Sequence, residues 1–315
     1  GQRLGGRCQV DRPGNLLLNW AVEVAAVRGT TIELVRPLRV PLAPEWRAAV
    51  WSFEPPVEEV GIEHLTVEFP PLPLPEHHAE PGQNAISLAA AFNSWVRDVA
   101  IVNFDNALMF WYSKHCAAQD IVLAGRAGHY GINLAGSQDS RVTRFRIDNG
   151  SLHDLSVANL GNGNVVSWGE GCAINFDHHR YAPYENLFSA IDVGESAATR
   201  RLWRSSFTIS GHYTAARETF WNVTPPIAGR YLPVWPAVNV IGPLRRRPNL
   251  EALAVDAWVE PIGALSPADL HAAQWARRLG RPLPPPPALP PGVPEVPRCA
   301  DPHRRPEETL EDTLP

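Results

Sequence analysis

The chain has 315 residues, of which 44% are hydrophobic, and it carries a net charge of -5. This length is enough to bury a large core, and the composition is that of a globular protein. Because the charge is negative and Arg245–Arg247 is the only basic tract, we expect no nucleic-acid partner. No apolar run reaches the roughly 18 residues of a membrane-spanning helix, so we expect no membrane span.

The basic residues are almost all arginine, since lysine occurs only at Lys114, and this bias suggests a bacterial source. No signal peptide is visible after Gly1, but Gly1 need not be the natural start, so this does not argue against secretion. The four cysteines are Cys8, Cys116, Cys172 and Cys299. Their wide spacing forms no zinc motif, and Cys116 and Cys172 either meet on neighbouring turns of a repeat or stay buried thiols.

The first segment, residues 1–54, contains the short apolar runs Leu16–Val27 and Thr31–Leu38. These runs predict a small strand-rich lead-in. Since an exposed sheet edge invites pairing with other strands, we expect the lead-in to cover the first edge of the sheet that follows.

The second segment, residues 55–240, consists of short β-rich runs punctuated by Asn, Asp and Gly. Two strand types recur every 22 to 24 residues: Asn84–Ile86, Asn106–Leu108 and Tyr130–Leu134 belong to one, and Asp98–Ile101, Asp120–Leu123 and Arg144–Asp148 to the other. Such a period predicts a β-solenoid, whose coils bury their apolar sides by stacking. The alternative is a β-sandwich, which needs hairpin turns. The sequence contains no clear Asn-Gly hairpin turn between alternating strands. Asn149–Gly150 comes nearest to one, and it fits a corner of a solenoid coil equally well.

The remaining segments are residues 241–280 and a tail, residues 281–315. Ser266 as N-cap, Pro267 in the first turn and Gly280 as C-terminal cap predict a helix. We expect this helix to dock on the solenoid through an apolar face. In the tail, Arg281–Pro297 is typical of polyproline structure, and the charged end Pro302–Pro315 is predicted to be disordered.

The repeats of GI-x-L and V-x-I-x-N type, with Asn at the ends of turns, resemble right-handed parallel β-helix proteins of the pectate-lyase-like superfamily. The resemblance covers about residues 55–225. It implies an all-β fold that is a right-handed parallel β-helix. The strand-rich lead-in and the C-terminal docking helix have only a loose counterpart in that superfamily and are predicted from the sequence. Members are mostly polysaccharide lyases and glycoside hydrolases, with tailspikes and epimerases among them. No catalytic set of one family matches, and no calcium-binding aspartate cluster is recognisable.

The densest group of polar side chains is Asn175–Tyr181, which holds an acid, two imidazoles, a guanidinium and a phenol. Burying such groups is costly, so they either line a working groove or form a closed knot in which Arg180 pairs with Asp177. The predicted catalytic residues are Asp177, His178, His179, Arg180, His153, Asp154 and Glu170.

Histidine spacing suggests that this group extends over several coils. His129, His153 and His178 are 24 and 25 residues apart, and equivalent positions of stacked coils lie about 4.8 Å apart. These residues therefore predict a histidine ladder on one face. The alternatives are that His129 is a loop residue at a glycine-rich corner and that His153, at the start of a strand, pairs with Asp154 or with a backbone carbonyl.

Two chemistries fit these residues. A glycoside hydrolase needs two carboxyls, for which Glu170, Asp177, Glu185 and Asp192 are candidates. A lyase needs a base and a group that neutralises the sugar carboxylate, and residues 178–181 supply both. No cofactor is required by the sequence, although three histidines with Asp177 would suit a divalent transition metal.

We therefore predict a secreted or cell-envelope bacterial enzyme that cleaves a polysaccharide or oligosaccharide, by hydrolysis or β-elimination. Aromatic faces stack on sugar rings, and Trp168 and Tyr184 are expected to be exposed for this purpose. The predicted substrate-binding residues are Trp168, Tyr181, Tyr184, His129, Glu185 and Asp192. The alternative is a non-catalytic β-helix that binds carbohydrate or mediates surface adhesion.

Overall fold

Parallel strands dominate the computed structural model, which describes residues 19–73, 76, 78–126, 128–179, 181–194, 203–205, 215–224, 236–243, 256–263, 265–282, 284–285, 287–294 and 296. Six of the strands form one sheet: β5 (Asn84–Ala89), β8 (Asn106–Trp111), β10 (Tyr130–Ala135), β12 (His153–Ala158), β14 (Phe176–His178) and β16 (Trp203–Ser205). Nine others form a second sheet: β4 (Gly61–Glu68), β7 (Trp95–Val102), β9 (Ala117–Ala124), β11 (Arg141–Ile147), β13 (Val165–Gly171), β15 (Leu187–Asp192), β17 (Thr219–Thr224), β18 (Asn239–Gly242) and β19 (Trp258–Pro261).

The other elements are short. They are the antiparallel hairpin β1 (Val24–Arg28) and β2 (Thr31–Leu34), the parallel pair β3 (Val57–Glu58) and β6 (Ala91–Phe92), a 3-10 turn (Pro44–Trp46) and helix α1 (Leu270–Leu279). Among the described residues, no helix is both long and apolar enough to cross a bilayer.

Successive strands of each large sheet come from successive coils and pair in parallel. In the six-stranded sheet Leu108 pairs with Ile132, Ile132 with Leu155, and Leu155 with Phe176. This register stacks like side chains into one apolar core. The chain is thus a parallel β-solenoid of about six turns, which confirms the predicted β-helix and excludes the β-sandwich.

A bend runs through the nine-stranded sheet. One residue in each of seven strands has positive φ and is skipped in the strand register: His64, Asp98, Asp120, Arg144, Trp168, Ala190 and Asn222. The extra residue breaks the two-residue alternation of side chains. In β11, Val142 and Phe145 are three positions apart and both are buried. These seven coils therefore turn at the same place without losing their pairing.

A column of polar side chains holds the coils together inside one corner. Asn164 Oδ1 accepts a hydrogen bond from the backbone N–H of Ser140 at 3.0 Å, and Asn186 Oδ1 accepts one from the N–H of Asn164 at 3.0 Å. Glu218 Oε2 in turn accepts from the N–H of Asn186 at 2.9 Å. The three acceptor side chains are buried, so each one satisfies a backbone donor of the preceding coil that water cannot reach.

The solenoid extends further than its predicted end at residue 240, since β19 continues the sheet to Pro261. Helix α1 begins after Asp269 rather than after Ser266, and it ends at Gly280 as predicted. Asp269 Oδ1 lies 2.8 Å from Ser189 Oγ on β15. The helix therefore docks mainly through polar contacts near its first turn, and the predicted apolar face stays half exposed at Trp275.

The described part of the lead-in contacts the side of the solenoid, and the prediction that the lead-in covers the first edge stays a prediction. Trp20 Nε1 donates to the hydroxyl of Tyr184 at 2.7 Å. Arg39 contacts both Asp139 and Glu185. Residues 1–18 and the charged end Pro302–Pro315 lie outside the described residues.

Cys116 and Cys172 do not pair with each other, which was one of the two alternatives predicted from the sequence. Cys116 carries a free, buried thiol, and burial raises its pKa. Cys172 is disulfide-bonded. Cys8 and Cys299 lie outside the described residues.

Replacing Asn186 by Ala tests the polar column. We expect a loss of about 3 kcal/mol in unfolding free energy, because the buried N–H of Asn164 loses its acceptor and the buried carboxylate of Glu218 loses one of its donors. Urea denaturation measures it. The control is Asn106→Ala, which removes only an exposed hydrogen bond to Asn84 and should cost less than about 0.5 kcal/mol. Equal costs for the two variants would contradict the role of the column.

Asp139 tests the attachment of the lead-in. Burial opposes its ionisation, but Lys114 and Arg39 outweigh that effect and hold the pKa of Asp139 below its usual value. Because the folded-state pKa is lowered, the stabilisation is present above the unfolded pKa of about 3.9 and is lost as pH falls through the folded pKa. Asp139→Asn should therefore cost about 2 kcal/mol at neutral pH and little in strong acid. Chemical denaturation of the wild type and the variant, from neutral pH to strong acid, measures this loss of stability. A loss that does not change with pH would contradict the prediction.

Candidate functional site

Four ring side chains from three coils lie side by side along the six-stranded sheet: His129, Tyr130, His153 and His179. We call them the histidine row. The ring centroids of His129 and His153 are 5.3 Å apart, and those of His153 and His179 are 4.9 Å apart. The Tyr130 ring stacks on both His129 and His153, at 4.7 Å from each. The register of β10 with β12, which pairs Tyr130 with His153, produces this contact.

Asp177 joins one end of the histidine row. Its Oδ2 atom lies 3.1 Å from His153 Nδ1 and 3.5 Å from His179 Nδ1. The same oxygen accepts a hydrogen bond from Ser156 Oγ at 2.8 Å. Burial opposes ionisation of Asp177, but the two imidazoles outweigh that effect and hold its pKa well below the usual range. The carboxylate is therefore a buried anion that two histidines and one hydroxyl keep in place.

Glu80 joins the other end. Its Oε1 atom lies 2.8 Å from His129 Nδ1, and the ring of His78 lies 5.5 Å from that of His129. Burial and the neighbouring His153 lower the pKa of His129, although Glu80 acts in the opposite direction. A carboxylate on Nδ1 fixes the tautomer of the ring and presents Nε2 as the basic nitrogen.

The predicted histidine ladder is correct for His129 and His153, but its third member is His179 and not His178. His178 is fully buried, with its ring 5.6 Å from that of Phe188 and 6.0 Å from that of Phe220. Alternate residues of a strand face opposite sides, so Asp177 faces the histidine row while His178 points into the core. The coil between Leu155 and Phe176 spans 21 residues, which is shorter than the spacing used for the prediction.

Three other predicted residues hold the solenoid together. Asp154 is fully buried and accepts hydrogen bonds from the backbone N–H groups of Ser151 and Asn175, at 2.7 and 2.9 Å. Tyr184, expected to be exposed, is buried, and burial raises its pKa to about 12. Glu185 pairs with Arg39 of the lead-in.

Glu170, Trp168 and Asp192 lie on the nine-stranded sheet, where Glu170 and Asp192 are register partners. They line a shallow cavity together with Asn222 of β17 and with Leu289, which belongs to the proline-rich tail. Glu170 accepts a hydrogen bond from Arg146 Nε at 2.9 Å. The structure therefore does not bring Glu170 together with Asp177, although both were predicted as catalytic residues, because the two carboxylates belong to different sheets.

The last two residues of the polar segment Asn175–Tyr181 add little to the described site. Tyr181 has a positive φ of 61° and is half-buried at the corner that follows β14. Arg180 lies outside the described residues, so its predicted pairing with Asp177 stays a prediction.

No family model, no curated protein and no solved structure matches this chain. The chemistry of the site is consequently inferred from its own geometry.

Sequence reasoning missed Glu80, Tyr130, Ser156 and His78. Tyr130 and Ser156 could have been found from the repeat, since each aligns with a predicted site residue in the next coil. Glu80 and His78 precede β5 in a proline-rich loop without periodicity, so no pattern placed them beside His129.

The two adjacent histidines should respond differently to truncation. His178→Ala should cost about 3 kcal/mol in unfolding free energy, because it leaves a cavity beside Phe188 and Phe220. His179→Ala should cost less than about 1 kcal/mol, because this side chain is partly exposed. Thermal and urea denaturation of both variants measure the contrast, and similar losses would contradict the assigned orientations.

Proposed function

We propose that the protein is a carbohydrate-active enzyme that cleaves an acidic polysaccharide by β-elimination along the histidine row. The observation that carries the proposal is the convergence of Glu80, the histidine row and Asp177 on one sheet of a parallel β-helix. The fold adds support, since the resemblance to pectate-lyase-like proteins extends over the same coils. An elongated solenoid also offers a polymer chain a face on which successive sugars contact successive coils.

Elimination requires three groups around one sugar. A base removes the proton on C5, a proton donor serves the leaving oxygen on C4, and a third group neutralises the carboxylate that makes the C5 proton acidic. As the C5–H bond breaks, its electron pair forms the C4–C5 double bond, and the C4–O bond breaks with its pair on oxygen. The oxygen then takes a proton, so that atoms and charge balance.

The histidine row offers candidates for each role. His129, oriented by Glu80 at 2.8 Å, serves as the base in this proposal. Tyr130, stacked on His129 at 4.7 Å, supplies the proton for the leaving oxygen. The imidazoles of His153 and His179, which Asp177 holds in place, then bind the sugar carboxylate and neutralise it. This order places base and donor next to each other, with the carboxylate site one coil further on.

Hydrolysis is less well supported by the same geometry. A glycoside hydrolase needs two carboxyls on either side of the bond, one of them able to donate a proton. Asp177 is buried, and its lowered pKa makes it a poor donor. Glu170 and Asp192 lie on the other sheet, where Arg146 and the proline-rich tail contact the site.

A secreted or cell-envelope location belongs to the same proposal. The disulfide at Cys172 supports it, because disulfides persist mainly in oxidising compartments. A bacterial source is supported only by the arginine bias of the sequence.

Incubation with a panel of acidic polysaccharides tests the reaction. We expect ultraviolet absorbance from the unsaturated sugar together with new reducing ends. His129→Ala and Tyr130→Phe should each lower kcat by about 100-fold or more. The control His64→Ala, which changes an exposed histidine on the other sheet, should keep full activity.

Three results would overturn the proposal. Reducing ends without ultraviolet absorbance, abolished by Glu170→Gln, would assign a hydrolase on the nine-stranded sheet. Polysaccharide binding without cleavage would assign a carbohydrate-binding or adhesion protein. Full activity of His129→Ala would remove the histidine row from the chemistry.

A further inference from the structure

Three side chains at one end of the histidine row share a metal-ligand arrangement. His153, Asp177 and His179 each present one ligand atom, and these three atoms lie within 4.8 Å of one another. We propose that this trio binds one divalent transition-metal ion of the zinc class. The site is defined by two imidazole nitrogens and one carboxylate oxygen.

The distances agree with those inside a coordination shell. With metal–ligand bonds of about 2.0–2.2 Å, two ligands of a tetrahedral ion are about 3.4 Å apart. Asp177 Oδ2 lies 3.1 Å from His153 Nδ1 and 3.5 Å from His179 Nδ1. An ion can therefore enter the trio with little movement of its ligands.

The donor set determines which class of ion fits. Two imidazoles with one carboxylate suit zinc and its neighbours, whereas calcium requires six to eight oxygen ligands. Three protein ligands leave at least one coordination position for water or substrate, which is typical of catalytic rather than structural zinc sites.

Burial and charge also favour a cation. Asp177 is 1% exposed, and its ion-pair partners among the described residues are the two imidazoles of the trio. A buried carboxylate requires compensation for its charge. Histidine binds a metal through a neutral imidazole, so a divalent ion together with the Asp177 carboxylate leaves the occupied site with one positive charge.

The surroundings of the trio resemble an outer ligand shell. Ser156 Oγ donates to Asp177 Oδ2 at 2.8 Å, and such contacts orient ligands and raise metal affinity. The ligands also come from two paired strands, β12 and β14, and from the residue that follows β14. The solenoid therefore fixes the ligand atoms before any ion arrives.

The ion strengthens the carboxylate site of the proposed reaction, because it offsets the negative charge of Asp177 beside the imidazoles of His153 and His179. Its open coordination position attracts the sugar carboxylate and makes the neighbouring proton more acidic. This catalytic role rests on the proposed function, but the binding of the ion does not.

Metal binding is tested on the full chain after treatment with a chelator. Titration with zinc by calorimetry should show tight binding, and cobalt should give the visible absorption of a low-coordinate site. Asp177→Asn and His179→Ala should each weaken binding by about 100-fold or more, and Ser156→Ala should weaken it by about 10-fold. Circular dichroism verifies the folding of each variant, and the partly exposed His179 provides the test if Asp177→Asn fails to fold.

The matched control is His64→Ala. His64 also forms a histidine–aspartate pair, with Nδ1 2.7 Å from Asp98 Oδ2, but the pair is exposed on the other sheet. This variant should bind zinc like the wild type. Absence of zinc binding, a preference for calcium, or wild-type affinity in His179→Ala would overturn the inference.

The same titration separates this inference from the proposed reaction. His78, Glu80 and His129 form a second group of possible ligands, so His129→Ala distinguishes the two sites. It should lose elimination while keeping the metal ion at the Asp177 trio. Metal binding without elimination by the wild type would leave the inference standing and refute the proposed function. Elimination by a protein that binds no metal would support the proposed function and refute the metal site.

Discussion

Every coil of this solenoid depends on backbone hydrogen bonds that its neighbour must complete. In the straight stretches parallel pairing supplies them, but at the corners the chain turns and its N–H groups point along the stack. There a side chain of the next coil accepts the bond, as Asn186 does for Asn164 and Glu218 for Asn186. Because water does not reach these groups, a break in the column has no substitute partner. Register between coils is therefore fixed at the corners as much as in the strands.

This fixed register builds the candidate site. The pairing of Tyr130 with His153 and of Ser156 with Asp177 places side chains from separate coils at strand spacing. No single loop contains the site, so its geometry is inherited from the stack. Polar atoms held this firmly lose little freedom when a ligand or an ion arrives, which is the advantage of preorganisation.

The sequence predicted the fold well because a solenoid repeats its local pattern. The spacing of Asn84 to Asn106 and of Asp98 to Asp120 is the coil length itself. The candidate site was predicted less well because it depends on one-residue shifts. The short coil before Phe176 exchanged the roles of His178 and His179, and a difference of one position moves a side chain from one face to the other.

The positions of other residues could not be predicted, because they depend on contacts between residues that are far apart in the sequence. Tyr184 was expected to bind sugar, but Trp20, 164 residues away, bonds to its hydroxyl. Glu80 reaches His129 from a loop two coils earlier. No periodicity encodes contacts of this kind, because the loop and the lead-in do not repeat.

The aligned bend has a consequence for how such a protein can change its length. Seven strands turn at one column of positive-φ residues and keep their pairing on both sides of it. Leu187 and Thr219 stay paired although 32 residues separate them, where neighbouring coils use 22 to 24. Extra chain between strands thus leaves the frame intact, so evolution can lengthen a corner, or duplicate a coil, without rebuilding the rest. The histidine row uses only three coils, and such growth elsewhere in the stack would leave it undisturbed.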